Sequence, residues 1–303
     1  MSENGSGLTR RDFLRGAAVA AIGGAAAPRA PAESGSETKP KAEAPKSRVV
    51  LVRDVDVLDG EGKARGDVLE RMLDAGVAAL AGKPAPEAWK SWFSPQDTVG
   101  IKSNVWRFLP TPPDLERTIR DRLIAAGVKA ERIAVDDRGV RKNPVFREAT
   151  ALVNVRPMRT HHWSGVGSLL KNYIMFVEDP SAWHGDSCAD LAGIWKLPAV
   201  AGKTRLNVLV LLTPLFHSVG PHDYSAKYTW PYRGLLVGTD PVAVDATGLR
   251  ILEAKRRLHF GADEPFPVPP KHIRAAETKH ALGVADPAKI DLVKLGWEEG
   301  VMV

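Results

Sequence analysis

The alternation of short apolar runs with segments of helical periodicity, starting at Arg48, narrows the fold of this chain more than any other feature. Val49-Val50-Leu51-Val52 reads as a strand, and Val68 to Leu80 carries helical spacing through Leu69, Leu73, Val77 and Leu80. A strand is predicted at Thr98 to Lys102, a helix at Pro113 to Ala126 ended by Gly127, and strands at Arg132 to Val135 and Ala151 to Val155. The clearest strand runs from Leu206 to Leu212, where Val208 to Leu212 is wholly apolar, as expected of a strand covered on both faces. Gly234 to Val237 leads into a helix opened by Asp240-Pro241, and a helix around His272 to Leu282 precedes a closing strand near Asp291 to Leu295. This order predicts an α/β fold: a mostly parallel, doubly wound sheet with helices on both faces, built as a single domain with insertions.

The first residues are of another kind. Thr9-Arg10-Arg11-Asp12-Phe13-Leu14-Arg15 precedes an uncharged, alanine-rich run from Gly16 to Ala27, and Ala30-Pro31-Ala32 offers small residues for cleavage. Together they read as a twin-arginine (Tat) export signal over residues 1–32, which implies the Tat translocase as a transient partner and a periplasmic or extracellular destination. The apolar part is shorter than the roughly 20 residues a membrane span needs. Residues 33–47, rich in Pro, Lys, Glu, Ser and Ala, read as a disordered tether, which leaves 48–303 for the α/β domain.

Composition excludes several classes. Without residues 1–32 the chain loses Arg10, Arg11, Arg15 and Arg29 against Glu3 and Asp12, so the formal charge falls from +6 to +4. The remaining charges are interspersed, and no Lys/Arg block offers a footprint for nucleic acid; a small anionic ligand suits this balance better. No apolar run after the signal approaches membrane-spanning length. Cys188 is the single cysteine, which excludes an internal disulfide and a self-contained iron-sulfur cluster; a small buried residue is its expected role.

In an open parallel sheet, ligands bind beyond the carboxyl ends of the strands, and here those ends are polar. Lys102, Ser103 and Asn104 follow one strand, Asp136 and Asp137 another, and Asp240 a third. Asp240 is also placed to cap the helix that Pro241 begins. Asp245 shares a helical face with Val242 and Leu249, so its carboxylate must be paired, hydrogen-bonded or metal-bound inside the core. Between strands, Gly165 to Asn172 is rich in small residues, with a helix expected near Gly167-Ser168 whose free amides suit an anion and with Lys171 and Asn172 one turn inside. Five histidines, His161, His162, His184, His217 and His222, fall within one stretch and suggest donors for a divalent metal, with His161, His162 and His217 as the candidate ligands. No recognised zinc spacing is present, and no G-x-S-x-G elbow supports a serine hydrolase.

Val99 to Asn104, Leu123 to Asp136, Gly167 to Asn172 and Asp240 to Ala246, in this order, resemble the domain-of-unknown-function family numbered 362, across roughly Val99 to Leu252. The resemblance implies an α/β domain, and some members carry an appended ferredoxin-like cluster domain that one cysteine cannot supply here. Two functional readings stand at this point. The first is an exported enzyme acting on a small carboxylate or phosphate, with Asp136, Lys171 and Asp245 as catalytic groups and Lys102, Asn104, Gly167, Ser168, Asn172 and Asp240 as substrate-binding ones. The second is a non-catalytic ligand- or metal-binding accessory protein of a redox complex.

Overall fold

The computed structural model describes residues 46–218 and 224–303. The expected export signal, and the tether up to residue 45, lie outside the described residues, as does His222. Along the chain come β1 (Ser47–Arg53), α1 (Gly66–Ala81), α2 (Ala85–Trp92), β2 (Val99–Lys102), α3 (Pro113–Ala125), β3 (Ile133–Asp136) and the single turn α4 (Pro144–Arg147). Next come β4 (Ala151–His161), β5 (Gly165–Gly167), two further single turns, α5 (Leu169–Asn172) and α6 (Gly185–Cys188), and β6 (Thr204–Leu215). The chain closes with β7 (Gly234–Gly238), α7 (Pro241–Phe260), α8 (Lys271–Thr278) and β8 (Ile290–Gly296).

The strands form one mixed sheet in the order β3-β2-β4-β6-β7-β1-β8, with β5 paired to β4. Successive side chains of a strand point to opposite faces, and both faces here are covered. Val50, Val52, Ile101, Val153 and Val208 pack beneath α1, α2 and α3, against Leu69, Leu73, Trp89 and Ile119. Val49, Leu51, Leu152, Leu209 and Leu236 pack on the other face against α7, α8 and the insertion that carries Tyr173, Leu191 and Trp195. Coverage of both faces explains the uninterrupted apolar run in β6, which has no solvent-facing side to mark with polar residues.

The expected α/β architecture is present, with helices on both faces and insertions. One detail of the sheet differs from a simple succession of parallel strands: β7 runs antiparallel to both β6 and β1, whereas β2, β3, β4 and β6 run parallel to one another. Gly238, at the carboxyl end of β7, therefore pairs with Asn207 near the amino end of β6. β4 and β6 also extend well past their apolar segments, and α2 and β5 had no distinct sequence signal.

The path of the chain opens a crevice. From β2 it crosses through α3 on one face, and from β4 it continues into β5 and α5 on the other. Neighbouring strands whose connections leave to opposite faces make the point at which a doubly wound sheet opens a cleft at its carboxyl edge.

Tight packing beside that cleft depends on Gly100 in β2. A Cβ there would lie 2.7 Å from the Phe146 ring and 3.0 Å from Leu152, closer than side-chain carbons approach. Overpacking of this kind costs about 1–3 kcal/mol. The Gly100→Ala protein is therefore expected to unfold at lower urea concentration than the wild type, and an unchanged midpoint would show that Phe146 can move aside freely.

Candidate functional site

The polar residues at the carboxyl edge begin as a buried ladder. Asn207 in β6 accepts from the Asn154 amide of β4 at 3.4 Å, and Asn154 in turn accepts from Asn172 of α5 at 2.8 Å. Asn172 also donates to the Lys102 carbonyl, while its own carbonyl accepts from the Lys102 ammonium at 3.2 Å. That ammonium donates to Ser103 O at 2.7 Å and to Asp137 at 2.5 Å. Lys102 has three N–H donors and three oxygen acceptors, so it forms the floor of the site and holds β2, α5 and the loop after β3 together. Burial lowers its pKa to about 8 against the opposing pull of Asp137. Burial also works against the charge of Asp137, but Lys102, the Val105 amide and Arg156 outweigh it and leave that carboxyl below its ordinary value.

Above this floor lies a cavity of about 280 Å³, lined by Asn104, Trp106, Asp137, Arg156, Arg159, His161, Trp163 and Lys171 among others. Arg156 and Arg159 are only 3% and 5% exposed. Arg156 spends one donor on Ser168 O at 3.4 Å, and its Nε has no partner; Arg159 lies over the Trp106 ring at 4.2 Å, with Nε and Nη1 unpartnered among the described residues. Burial, then repulsion from Arg156, pulls the Arg159 pKa well below its usual range, and burial brings Arg156 to about 10. Lys171, also buried, donates to Cys188 Sγ at 3.7 Å, and burial lowers its pKa to about 8. The four buried cations Lys102, Arg156, Arg159 and Lys171 face two buried carboxylates, Asp137 and Asp245, an excess of two positive charges.

The helix that carries Lys171 and Asn172 is a single turn and cannot stand alone. Its first amides, Leu169 N and Leu170 N, donate to the Asp245 carboxylate at 2.9 Å each, and the Ser168 hydroxyl does so at 2.6 Å. The amides expected to receive a ligand anion are thus occupied by a carboxylate of α7. Asp245, fully buried beneath the site, positions Lys171 without facing the cavity.

The structure distributes the other candidates as follows. Asn104, Lys171, Asn172 and His161 line the cavity and Lys102 underlies it. Asp136 accepts from Gly139 N and the Asn143 amide, closing the turn after β3; its neighbour Asp137 is the carboxylate that reaches Lys102. Gly167 serves by its size, because a Cβ there would meet Arg156 Nη2 at 2.7 Å. Asp240 caps α7 through Val242 N and Ala243 N and accepts from Val284 N and Ser47, at the opposite edge of the sheet, because β7 runs antiparallel. The three candidate metal ligands are not brought together. His161 and His162 stack on each other, whereas the His217 ring meets Arg256, Tyr228 and Phe260. Among the described residues no group of three His, Cys, Asp or Glu side chains could hold a metal ion. Arg159, Lys171 and Arg156 also surround His161, whose pKa burial and those charges lower, so the local field repels a cation.

Arg156, Arg159 and Trp106 are site residues that the sequence alone did not single out, and Asp137 was expected only as one of the polar residues at a strand end. A signal for the two arginines was present in β4, where Asn154 and Arg156 alternate with Val153 and Val155 inside a strand. A larger cavity of about 510 Å³ lies nearby, lined mainly by Leu58, Leu109, prolines, Val210 and Leu212, but it has no convergent buried charge.

The segment containing β3 to the first half of α7 matches a known sequence family over residues 128–250. Over this stretch the chain is similar to the Domain of unknown function (DUF362) family. The matched segment supplies Asp137, Arg156, Arg159, His161, Lys171, Asn172 and Asp245, whereas Lys102, Asn104 and Trp106 precede it. No curated protein and no solved structure matches the chain.

Burial raises the Asp245 pKa from 3.8 to about 6, against the pull of Ser168, Leu170, Leu169 and Arg156. A carboxyl raised in the folded state contributes stability that is full below its unfolded pKa and is lost as pH rises through the folded one. Wild-type stability is therefore expected to fall by on the order of 2–3 kcal/mol between about pH 4 and about pH 7 from this group. Urea titrations of Asp245→Asn should lack that component; a fall of equal size in the variant would assign it to other groups.

Proposed function

We propose that this chain is an enzyme acting on a small anionic substrate, a carboxylate or phosphate, bound in the cavity above Lys102 and Asp137. The observation that carries this reading is the Arg156–Arg159 pair: two guanidinium groups almost wholly buried, with unpartnered N–H donors and no carboxylate in ion-pairing distance among the described residues. A buried cation without an ion-pair partner is costly, and Asp137 and Asp245 act on this pair only from beyond salt-bridge distance, so a bound anion would complete its compensation. The planar fork of arginine suits a carboxylate or phosphate, and the excess of two positive charges suits a dianion or a monoanion with a further polar group.

The expected test outcome is asymmetric between the free and bound protein. Replacing Arg159 by Met removes unpartnered donors, so the free protein should gain about 1–3 kcal/mol. The same variant should lose the rise in thermal midpoint that inorganic phosphate or glutarate produces in the wild type. A variant that responds to both anions as the wild type does would overturn the reading.

We propose that the protein works outside the cytoplasm, on the strength of Arg10-Arg11, the uncharged run after them and Ala30-Pro31-Ala32. In cell fractionation the intact chain should appear in the exported fraction, and a chain with Arg10 and Arg11 both changed to Lys should stay in the cytoplasm. Equal distribution of the two would remove the export assignment.

A further inference from the structure

The two buried lysines of the site differ in how their hydrogens are used. All three of Lys102 go to oxygen acceptors, Ser103 O, Asp137 and Asn172, so its ammonium is fixed in place. Lys171 has a single acceptor among the described residues, the Cys188 sulfur at 3.7 Å, and sulfur is a weak one. It lines the same cavity as Arg156 and Arg159, and among the described residues no carboxylate forms an ion pair with it. An amine with free hydrogens, beside two guanidinium groups and opening on a cavity, is in the setting that makes a lysine a nucleophile.

We propose that Lys171 condenses with the carbonyl carbon of a 2-oxo acid whose carboxylate is held by Arg156 and Arg159. The inference rests on the anion reading of the cavity and names the substrate class within it. The neutral Lys171 amine attacks the carbonyl carbon, forming the N–C bond while the C=O π pair moves to oxygen. The two amine hydrogens leave with that oxygen as water, and the product is an imine between Nζ and the former carbonyl carbon. Protonation of the imine nitrogen from solvent makes it an electron sink for the neighbouring bonds.

The surroundings make the neutral amine accessible as pH approaches 8. Burial lowers the Lys171 pKa to about 8, and Arg156 and Arg159 act in the same direction while Cys188 opposes them. The imidazoles of His161, His184 and His272, on β4, near α6 and on α8, feel the Lys171 charge and have lowered pKa values themselves, so each stays neutral at pH 7 and adds no positive charge. Trp163, half exposed at the cavity mouth, has its ring 5.9 Å from the amine and offers an apolar wall without an acceptor oxygen.

The test uses the full chain with 2-oxoglutarate and cyanoborohydride, with glutarate as the analogue that lacks the carbonyl. Peptide mass mapping is expected to find a reduced adduct on Lys171, absent with glutarate, diminished when glutarate competes, and forming faster as pH rises through about 8. Thermal stabilisation by both compounds without an adduct on Lys171 would overturn the imine and leave the anion site standing. Failure of both compounds to stabilise the protein, with no adduct, would overturn both. Adducts confined to exposed lysines and insensitive to glutarate would also count against Lys171. Arg159→Met should reduce the Lys171 adduct at least tenfold while leaving adducts on exposed lysines unchanged, because only the buried amine depends on the guanidinium pair for its substrate.

Discussion

The grip of Asp245 on the start of α5 is the interaction on which the site depends. A single helical turn has too few internal hydrogen bonds to hold itself together, and nucleating it is unfavourable. Here the orphan amides of Leu169 and Leu170 and the Ser168 hydroxyl are all satisfied by one buried carboxylate projecting from α7. That fixes the turn against β4, which places Asn172 within reach of Lys102 and Asn154 and leaves Lys171 beside the arginines. The carboxylate also supplies a distant negative charge to Arg156, so the group that builds the turn tempers the field above it.

The buried polar groups fall into two layers of different character. The Asn207, Asn154, Asn172, Lys102 and Asp137 ladder is fully hydrogen-bonded, as a buried polar network must be if it is not to be a liability. The layer over it is not. Arg156 lowers the affinity of Arg159 for its proton, and both keep donors without partners among the described residues. The contrast between a satisfied floor and an unsatisfied wall is what supports the proposed anion site, and it sets Lys102, with three oxygen acceptors, apart from Lys171, with a single sulfur one among the described residues.

Much of the fold was legible because periodicity and capping are local properties. The strand at β6, the helices α1 and α3, and the Asp240-Pro241 start of α7 each follow from a few adjacent residues. The direction of β7 was not legible, because it depends on how the chain returns between β6 and β7, and with it went Asp240, which a parallel strand would have carried to the site edge. Asp245 was recognisable as a buried carboxylate needing partners, but its partners lie some 75 residues away in sequence and only the tertiary structure names them. Arg156 and Arg159 sit in a strand extended far beyond its apolar start, where charged residues look like loop until a neighbouring hairpin and a short helix cover them. Asp136 and Asp137 are adjacent and chemically identical; which of them turns inward is decided by the turn at Gly139, which binds the first and frees the second.

The order of strands gives the family match an unexpected meaning. Residues 128–250 include β3 and β4, yet β2, which lies between them and pairs with both, comes from upstream at Val99–Lys102. β1, which flanks β7, comes from further upstream still, and α8 and β8 come from beyond Arg250. An excised 128–250 fragment would therefore have a gap between β3 and β4, three strands (β3, β4 and β7) with newly bare hydrogen-bonding edges, and an Asp137 carboxylate without its ammonium. The stretch by which the family is recognised is a unit of sequence and not of folding, and the cavity exists only where the flanking chain closes the sheet around it.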